Sequence, residues 1–174
     1  MCIRDSNKSA ENITVYLIGE RISQENQNKL KGFAKSYDRK VCIISINNIA
    51  DYIDFDFDTN GWSSIILARL FLDKLLPQEV DRILYLDGDT LVLEDIGSLF
   101  YSDLGDKVIG MCPEPTVDKS RKEFLALKEH PYHNSGVLLI DLKKWRREEI
   151  GKKVIEFYQF HEGKLFAPDQ DALN

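Results

Sequence analysis

The feature of this sequence that most constrains its fold is an apolar run that ends in two carboxylates. The run covers residues 83–86, the carboxylates are Asp87 and Asp89, and a second apolar run follows at residues 91–93. Such a run is typical of a buried strand, and open α/β sheets bind ligands where their strands end. Two Asp side chains at this spacing can turn toward one divalent cation, while Gly88 permits a tight turn and close approach of a ligand. The simpler alternative is a turn with two solvated Asp side chains.

Charge excludes one class of partner. The chain has 23 Lys and Arg against 29 Asp and Glu, a net charge of −6, whereas nucleic-acid binding needs a basic surface. We therefore expect no nucleic-acid partner, and the basic cluster at residues 143–147 is more simply a solvated helix face. With 174 residues, 43% of them hydrophobic, the chain can form one globular domain with its own core.

The three cysteines have no metal-ligand spacing. Cys42 and Cys112 lie in apolar runs, which is typical of reduced core residues in an intracellular protein, and Cys2 lies at the start of the chain. No segment approaches the ~20 apolar residues of a membrane span, and the N-terminal residues lack the apolar region of a signal peptide. These features predict a cytoplasmic protein.

Both ends of the sequence are abrupt. Residues 1–6 carry no structural pattern and are interpreted as a translated cloning adapter, so that the domain is expected at residues 7–174. Residues 169–174 have the pattern of a helix start, and the sequence stops there. We therefore expect a partial domain.

Apolar periodicity predicts alternating strands and helices. Helix signals include Ser23 as an N-cap, Pro77 as a terminator, and an apolar face formed by Ile150, Val154 and Phe157. Strands are expected at residues 13–19, 41–46, 83–86, 91–93, 107–112 and 136–142, and helices at 23–37, 62–76, 119–129 and after 142. This alternation predicts an α/β/α sandwich around one mostly parallel central sheet.

Three further segments carry polar residues that could join the acidic pair. Arg69 lies on an otherwise apolar helix, Asn-Ser-Gly at residues 134–136 opens a strand, and Asp-Gln-Asp at residues 169–171 opens a helix after Pro168. Each has a purely structural alternative. These are a surface Arg whose stem covers apolar neighbours, a turn, and an N-cap with acidic first-turn residues.

In their order along the chain and in their amino-acid sequence, the four segments resemble glycosyltransferase family 8. These retaining nucleotide-sugar transferases include bacterial lipopolysaccharide galactosyl- and glucosyltransferases and glycogenin. The matching strings are SSIILARLFLDKLLP, DRILYLDGDTLVLEDIGSLF, HNSGVLLIDLKKWR and FAPDQDALN, and the resemblance covers about residues 13–174. It implies a GT-A nucleotide-sugar transferase fold, here incomplete, and retaining transfer of a hexosyl group from a UDP-hexose donor to a saccharide or glycolipid acceptor.

The resemblance also implies a cofactor and the residues that bind the donor. Asp87 and Asp89, with Gly88 between them, would hold Mn²⁺, or Mg²⁺, against the diphosphate of the UDP-sugar. Arg69 would contact the donor, and Asn134 would lie beside the donor sugar. These roles are physically reasonable, since a divalent cation and an Arg side chain both stabilise the negative charge of a departing diphosphate.

Asp169 and Gln170 match the family pair near the anomeric carbon and are the implied catalytic residues. Asp169 would bind the sugar hydroxyls, and Gln170 would lie on the reacting face. Because an amide is a poor nucleophile, we expect same-face attack guided by the leaving phosphate rather than a covalent glycosyl-enzyme.

The family pattern includes parts that this sequence does not contain. An opening strand is expected before Ile13, and a third metal ligand, a His, is expected after Asn174. The missing C-terminal portion could attach the protein peripherally to the inner face of the membrane. His133 stands where the family usually has an aromatic residue, and we interpret it as a packing substitution.

Two alternative functions remain open at this stage. A haloacid-dehalogenase-type phosphatase would also have an apolar strand followed by Asp-x-Asp-x-Thr, with Asp87 as the phosphoryl-accepting nucleophile. That motif normally follows the first strand of its domain, whereas two predicted strands precede it here. The other alternative is an inactive fragment that binds a nucleotide-sugar without turnover. Because parts of the family pattern are expected outside this sequence, we expect weak or no turnover from residues 1–174 by themselves.

Overall fold

The computed structural model describes residues 13–174 of the chain. The suspected adapter at residues 1–6 and Cys2 lie outside this range. The strands are β1 (Thr14–Glu20), β2 (Lys40–Ile46), β3 (Arg82–Leu86), β4 (Ile109–Pro113) and β5 (His133–Asp141). The α-helices are α1 (Gln24–Ser36), α2 (Leu72–Leu75), α3 (Gly97–Phe100), α4 (Lys119–Phe124), α5 (Leu142–Arg147), α6 (Ile150–Phe160) and α7 (Pro168–Leu173), and two 3₁₀ helices cover Ile49–Tyr52 and Ser64–Phe71.

The strands of the described residues form two sheets rather than one. β1 and β2 pair in parallel, with Thr14 opposite Lys40. In the second sheet β5 lies between β3 and β4 and runs antiparallel to both. The α/β class is confirmed, but the prediction of a mostly parallel central sheet is wrong for this sheet. Alternation of elements alone does not reveal that the connection at residues 114–132 reverses the chain direction.

Several element boundaries differ from the sequence prediction. Residues 91–93 form no strand, because the Thr90 N–H donates to the Asp87 carbonyl and the chain turns away from the sheet, leaving Leu93 77% exposed. The helix predicted at 62–76 is a 3₁₀ helix followed by α2, and α4 ends at Phe124. β5 begins at His133, so that residues 134–136 lie within the strand instead of preceding it.

Other sequence predictions match the structure closely. The Ser23 side chain accepts a hydrogen bond from the Asn26 N–H and caps α1, and α6 buries Val154 on its inner face.

The two cysteines within residues 13–174 differ in burial. Cys42 is half-buried, but Cys112 is exposed, so the prediction of a core residue is wrong for Cys112. No helix within residues 13–174 combines the length and the apolar character needed to cross a membrane.

The basic cluster at residues 143–147 has a largely structural role. The Arg146 guanidinium donates to the backbone carbonyls of four residues at positions 76–80, which tethers the loop before β3. The Lys144 ammonium donates to the Gly105 carbonyl. These side chains therefore hold loops against α5 instead of forming only a solvated face.

The 3₁₀ helix Ser64–Phe71 contributes several residues to the core. It buries Leu67, Leu70 and Phe71, and the same core includes Ile140 of β5 and Tyr158 of α6. The buried polar or charged side chains among the described residues are four in number, namely Arg69, Ser135, Asp169 and Asp171. Since buried charges need partners, these four residues point to one polar cluster inside an otherwise apolar core.

Candidate functional site

Asp87 lies at the end of β3, where the strand separates from β5. Its N–H donates to the Gly136 carbonyl at 2.9 Å, which is the last backbone contact between the two strands on this side. Its side chain is 35% exposed. The Oδ1 atom accepts hydrogen bonds from Arg69 Nη2 at 2.8 Å and from the Tyr85 hydroxyl at 3.0 Å. The Asp87 carboxylate is therefore fixed through one oxygen.

Arg69 connects three elements of the site. Its side chain is 5% exposed, and Nη2 meets Asp87 while Nε lies 3.0 Å from Asp169 Oδ2. Nη1 donates to the Ser135 carbonyl at 2.7 Å and to Ser135 Oγ at 3.0 Å. The guanidinium also stacks over the Tyr85 ring, 4.7 Å from its centroid. Arg69 is thus buried and paired with carboxylates of the chain itself, which rules out the surface-residue alternative.

Asp169 lies in the first turn of α7 and is 6% exposed. Its Oδ2 atom accepts a hydrogen bond from the Ser135 hydroxyl at 2.9 Å in addition to the contact with Arg69. Burial raises the pKa of Asp169 above its ordinary value, and the Arg69 charge and the Ser135 hydroxyl oppose this shift. The side chain is consequently a desolvated carboxyl group held beside a cation.

Gln170 follows Asp169 and is held at both ends of its amide. Oε1 accepts from the Ser135 N–H at 2.9 Å, and Nε2 donates to the Tyr132 hydroxyl at 3.1 Å. Ser135 therefore contacts Arg69, Asp169 and Gln170 at once. Ser135 lies in the family-matching string HNSGVLLIDLKKWR, but the sequence alone predicts no role for it.

Asn134 and Gly136 lie on either side of Ser135 in β5. The Asn134 Oδ1 atom accepts from the Gly136 N–H at 2.8 Å. A Cβ atom at residue 136 would lie 2.9 Å from Asp87 Oδ2 and 3.0 Å from Asn134 Oδ1. The two oxygens therefore approach the same glycine, which brings Asn134 close to the acidic pair.

Asp89 and Gly88 occupy the exposed turn after β3. Unlike Asp87, the Asp89 side chain takes no part in the hydrogen-bonded cluster around Arg69. Gly88 does not adopt the left-handed conformation, and a Cβ atom there would meet nothing within 4 Å. The turn itself therefore does not require glycine at this position, while the open space beside Gly88 is compatible with the predicted close approach of a ligand.

The oxygen atoms of the acidic pair suit a hard divalent cation. Within residues 13–174 no group of three or more His, Cys, Asp or Glu side chains is arranged to hold a metal ion. Mg²⁺, however, is usually bound by one or two carboxylates together with substrate phosphates, and not by a complete protein cage. Asp87 Oδ2, which approaches Gly136, and the exposed Asp89 fit such a partial donor set.

A second cluster adjoins Gln170 and was not predicted from the sequence. The Tyr132 hydroxyl donates to Asp171 Oδ1 at 2.6 Å, and Arg121 Nη2 lies 2.6 Å from the same carboxylate oxygen. Arg121 lies in a charged helical segment, and nothing in the sequence distinguishes it from its charged neighbours. Asp171 lies in the family-matching string FAPDQDALN, so its position beside Gln170 on α7 could have been predicted.

The chain is similar in sequence to several glycosyltransferases. The profile of glycosyl transferase family 8 matches residues 2–174. A putative glycosyltransferase of Haemophilus influenzae is 28% identical over 165 residues, and the lipopolysaccharide 1,2-glucosyltransferase of Escherichia coli K12 is 27% identical over 168 residues. These matches cover 93% and 94% of this chain but 49% and 48% of the relatives. The chain thus spans about half the length of these curated relatives.

The chain is also similar to a solved enzyme structure. The galactosyltransferase LgtC, in complex with donor and acceptor sugar analogues, superposes with a TM-score of 0.79 at 26% sequence identity. The match covers 93% of this chain and 69% of the LgtC chain. This likeness confirms the predicted GT-A fold.

Proposed function

Because the chain belongs to glycosyltransferase family 8, we propose that it carries out the retaining transfer of a hexosyl group from a UDP-sugar to a saccharide acceptor. The observation that carries this proposal is the Arg69 guanidinium between Asp87 and Asp169. Arg69 connects the acidic pair, which would bind the metal and the donor diphosphate, to Asp169 of the pair that would lie near the anomeric carbon of the donor sugar. One site can then act on both ends of the bond that breaks.

The relatives support a hexose donor and a saccharide or glycolipid acceptor. The Escherichia coli relative is a lipopolysaccharide glucosyltransferase, and LgtC is a galactosyltransferase whose structure contains donor and acceptor sugar analogues. UDP-glucose and UDP-galactose are therefore the first donors to test for this chain.

Asp87 and Asp89 would hold Mn²⁺ or Mg²⁺ in this proposal. Since Asp87 Oδ1 is occupied by Arg69 and Tyr85, the Oδ2 atom would face the cation. The cation, when bound, supplies Lewis-acid stabilisation of the leaving diphosphate. Asn134 and Gly88 would line the donor on either side of this pair.

Arg69 would act mainly by fixing the two carboxylates. Asp87 and Asp169 carry like charges, and a guanidinium that is hydrogen-bonded to Asp87 and ion-paired with Asp169 offsets their repulsion. Each carboxylate then keeps a fixed orientation before the donor arrives, which lowers the cost of reorganisation during the reaction. Arg69 would also contact the donor directly.

Asp169 would accept hydrogen bonds from donor sugar hydroxyls, and Gln170 would lie beside the reacting carbon. The Gln170 Oε1 atom is already engaged by the Ser135 N–H, and an amide oxygen is a poor nucleophile. These points favour attack of the acceptor hydroxyl on the face that the diphosphate leaves. The Gln170 amide would then orient the donor sugar and the acceptor.

Family membership supports the transferase over the phosphatase among the competing functions. In this proposal Asp87 and Asp89 serve the donor, and Asp87 is not a phosphoryl-accepting nucleophile. The donor screen also distinguishes an active transferase from an inactive fragment that only binds the nucleotide-sugar.

A donor screen tests the proposed function. The chain is incubated with a panel of UDP-hexoses, with and without Mn²⁺, and UDP release is measured together with release of inorganic phosphate from phosphomonoesters. We expect weak UDP release that requires Mn²⁺ and differs among the sugars. Phosphate release without UDP release would overturn the proposal, whereas Mn²⁺-dependent UDP binding without turnover would establish the inactive-fragment alternative.

A further inference from the structure

The cluster on the far side of Gln170 from Ser135 has no role in the function proposed above. It consists of Arg121 on α4, Tyr132 just before β5, and Asp171 on α7. We propose that Tyr132 is a positioning residue that holds the Gln170 side-chain amide in one orientation, with Arg121 and Asp171 fixing the Tyr132 hydroxyl. The inference rests on the proposed function, since it assigns a partner to Gln170 within that site.

The contacts of the Tyr132 hydroxyl define the direction of its proton. Its oxygen lies 2.6 Å from Asp171 Oδ1, 2.6 Å from Arg121 Nη2 and 3.1 Å from Gln170 Nε2. A hydroxyl donates one proton and accepts two, while the guanidinium and the amide nitrogen can only donate. The proton must therefore go to Asp171, and the two lone pairs accept from Arg121 and Gln170.

The amide of Gln170 is then fixed from both sides. Oε1 accepts from the Ser135 N–H at 2.9 Å, and Nε2 donates to the oriented Tyr132 hydroxyl. A flipped amide would place an N–H against the Ser135 N–H and leave the Tyr132 oxygen without a donor from Gln170. Because an unpaired buried donor or acceptor is unfavourable, one orientation of the amide is strongly preferred.

Asp171 and Arg121 are themselves rigidly held. Asp171 is 1% exposed, and its Oδ2 atom accepts from the Ala167 N–H at 3.0 Å. The Arg121 guanidinium lies between the rings of Tyr132 and Phe166, at 4.8 Å and 4.7 Å from their centroids. Burial and the Asp171 carboxylate also raise the pKa of Tyr132, so that the hydroxyl stays protonated.

The kinetic test compares two buried tyrosines. Tyr132→Phe removes the acceptor of the Gln170 amide but leaves the Arg121–Asp171 ion pair. Tyr158→Phe is the matched control, since Tyr158 on α6 is also buried and its hydroxyl donates to the Asp58 carbonyl, outside the Gln170 network. With an active UDP-hexose we expect kcat to fall about tenfold in Tyr132→Phe, with KM for the donor within about twofold of wild type. Tyr158→Phe should keep kcat.

A double-mutant comparison separates a positioning role of Tyr132 from a general effect on stability. If Tyr132 acts through Gln170, then Tyr132→Phe should cause no further loss of kcat in a Gln170→Ala variant. An equal loss in both backgrounds, or a lowered melting temperature with kcat unchanged, would give Tyr132 a merely structural role and overturn the proposal.

A spectroscopic readout needs no turnover. In the ¹⁵N-labelled chain, the Gln170 side-chain amide signals are assigned by their loss in Gln170→Ala. We expect slow exchange of these amide protons with water in the wild type and exchange at least about tenfold faster in Tyr132→Phe. Fast exchange in the wild type, or equal exchange in both proteins, would overturn the positioning role. If no UDP-sugar is turned over, the proposed function fails while this measurement still decides the role of Tyr132.

Discussion

At the scale of single residues, Arg69 shows how one buried charge organises a site. A guanidinium removed from water is costly unless its nitrogen atoms find partners. Here the three nitrogen atoms of Arg69 contact Asp87, Asp169 and both oxygens of Ser135. Its contribution is therefore the fixed geometry of two carboxylates, and its loss would leave both without a common partner.

Substituting Arg69 by Lys tests this geometry. A single ammonium cannot reach Asp87, Asp169 and the Ser135 carbonyl together, so we expect the free energy of unfolding to fall by about 2–4 kcal/mol. UDP affinity should fall as well. The exposed Arg147→Lys serves as control and should change stability by less than about 0.5 kcal/mol. Urea denaturation decides the outcome, and equal stability of Arg69→Lys and wild type would show that the bridge is dispensable.

Asp169 gives a prediction of pH dependence. Its pKa is raised by burial in the folded chain, whereas in the unfolded chain it should lie near about 3.9. The folded state therefore binds the Asp169 proton more tightly than the unfolded state does. This proton binding adds to the free energy of unfolding at low pH, and the added stability is lost as pH rises between the two pKa values. Asp169→Asn should lack that decline.

Urea denaturation of wild type and Asp169→Asn between about pH 4 and pH 7 measures this difference. The stability of wild type relative to the variant should decrease as pH rises, while the exposed Asp81→Asn should follow the wild type. A difference that grows with pH would mean that the pairing with Arg69 outweighs burial.

At the scale of elements, β5 carries the most closely packed part of the site. A Cβ atom at Gly136 would approach Asp87 Oδ2 to 2.9 Å and Asn134 Oδ1 to 3.0 Å. Both atoms are ends of side chains that can move, so we expect Gly136→Ala to fold, with a loss of at most about 1–3 kcal/mol. The displaced Asp87 carboxylate should weaken Mn²⁺ binding about tenfold.

The control for this substitution is Gly32→Ala in α1, where a Cβ atom meets nothing within 4 Å. Alanine in a helix should raise stability by about 0.5–1 kcal/mol and leave Mn²⁺ binding unchanged. Unaltered Mn²⁺ affinity in Gly136→Ala would show that the position of the Asp87 carboxylate does not matter for the cation.

The elements also show what a sequence can and cannot predict. The strand before Asp87, the Ser23 cap and the inner face of α6 follow from local patterns, and each is present in the structure. The antiparallel course of β5 depends on a reversal at residues 114–132 that carries no periodic signal. Likewise Arg121 meets Asp171 across 50 positions of sequence, a contact that only the assembled fold creates.

At the scale of the whole molecule, polar groups are confined to one part of the core. The four buried polar or charged residues among residues 13–174 belong to two connected clusters. Arg69 and Asp169 lie around Ser135, and Asp171 lies in the adjoining cluster with Tyr132. Elsewhere among residues 13–174 the buried side chains are apolar, apart from the Tyr158 hydroxyl, which donates to the Asp58 carbonyl, and single atoms without a hydrogen-bond partner such as Trp145 Nε1. This concentration, together with membership of family 8, is the basis for assigning one functional site.

The most direct test of that site is calorimetric titration of the chain with UDP, with and without Mn²⁺. We predict binding that requires Mn²⁺, a loss of affinity of at least about tenfold in Asp87→Asn, which removes a carboxylate ligand, and wild-type affinity in Asp81→Asn. Asp81 is an exposed carboxylate at the opposite end of β3 and is the matched control. UDP affinity that is independent of Mn²⁺, or equal in Asp87→Asn and wild type, would contradict the assignment of the acidic pair to the metal-bound donor.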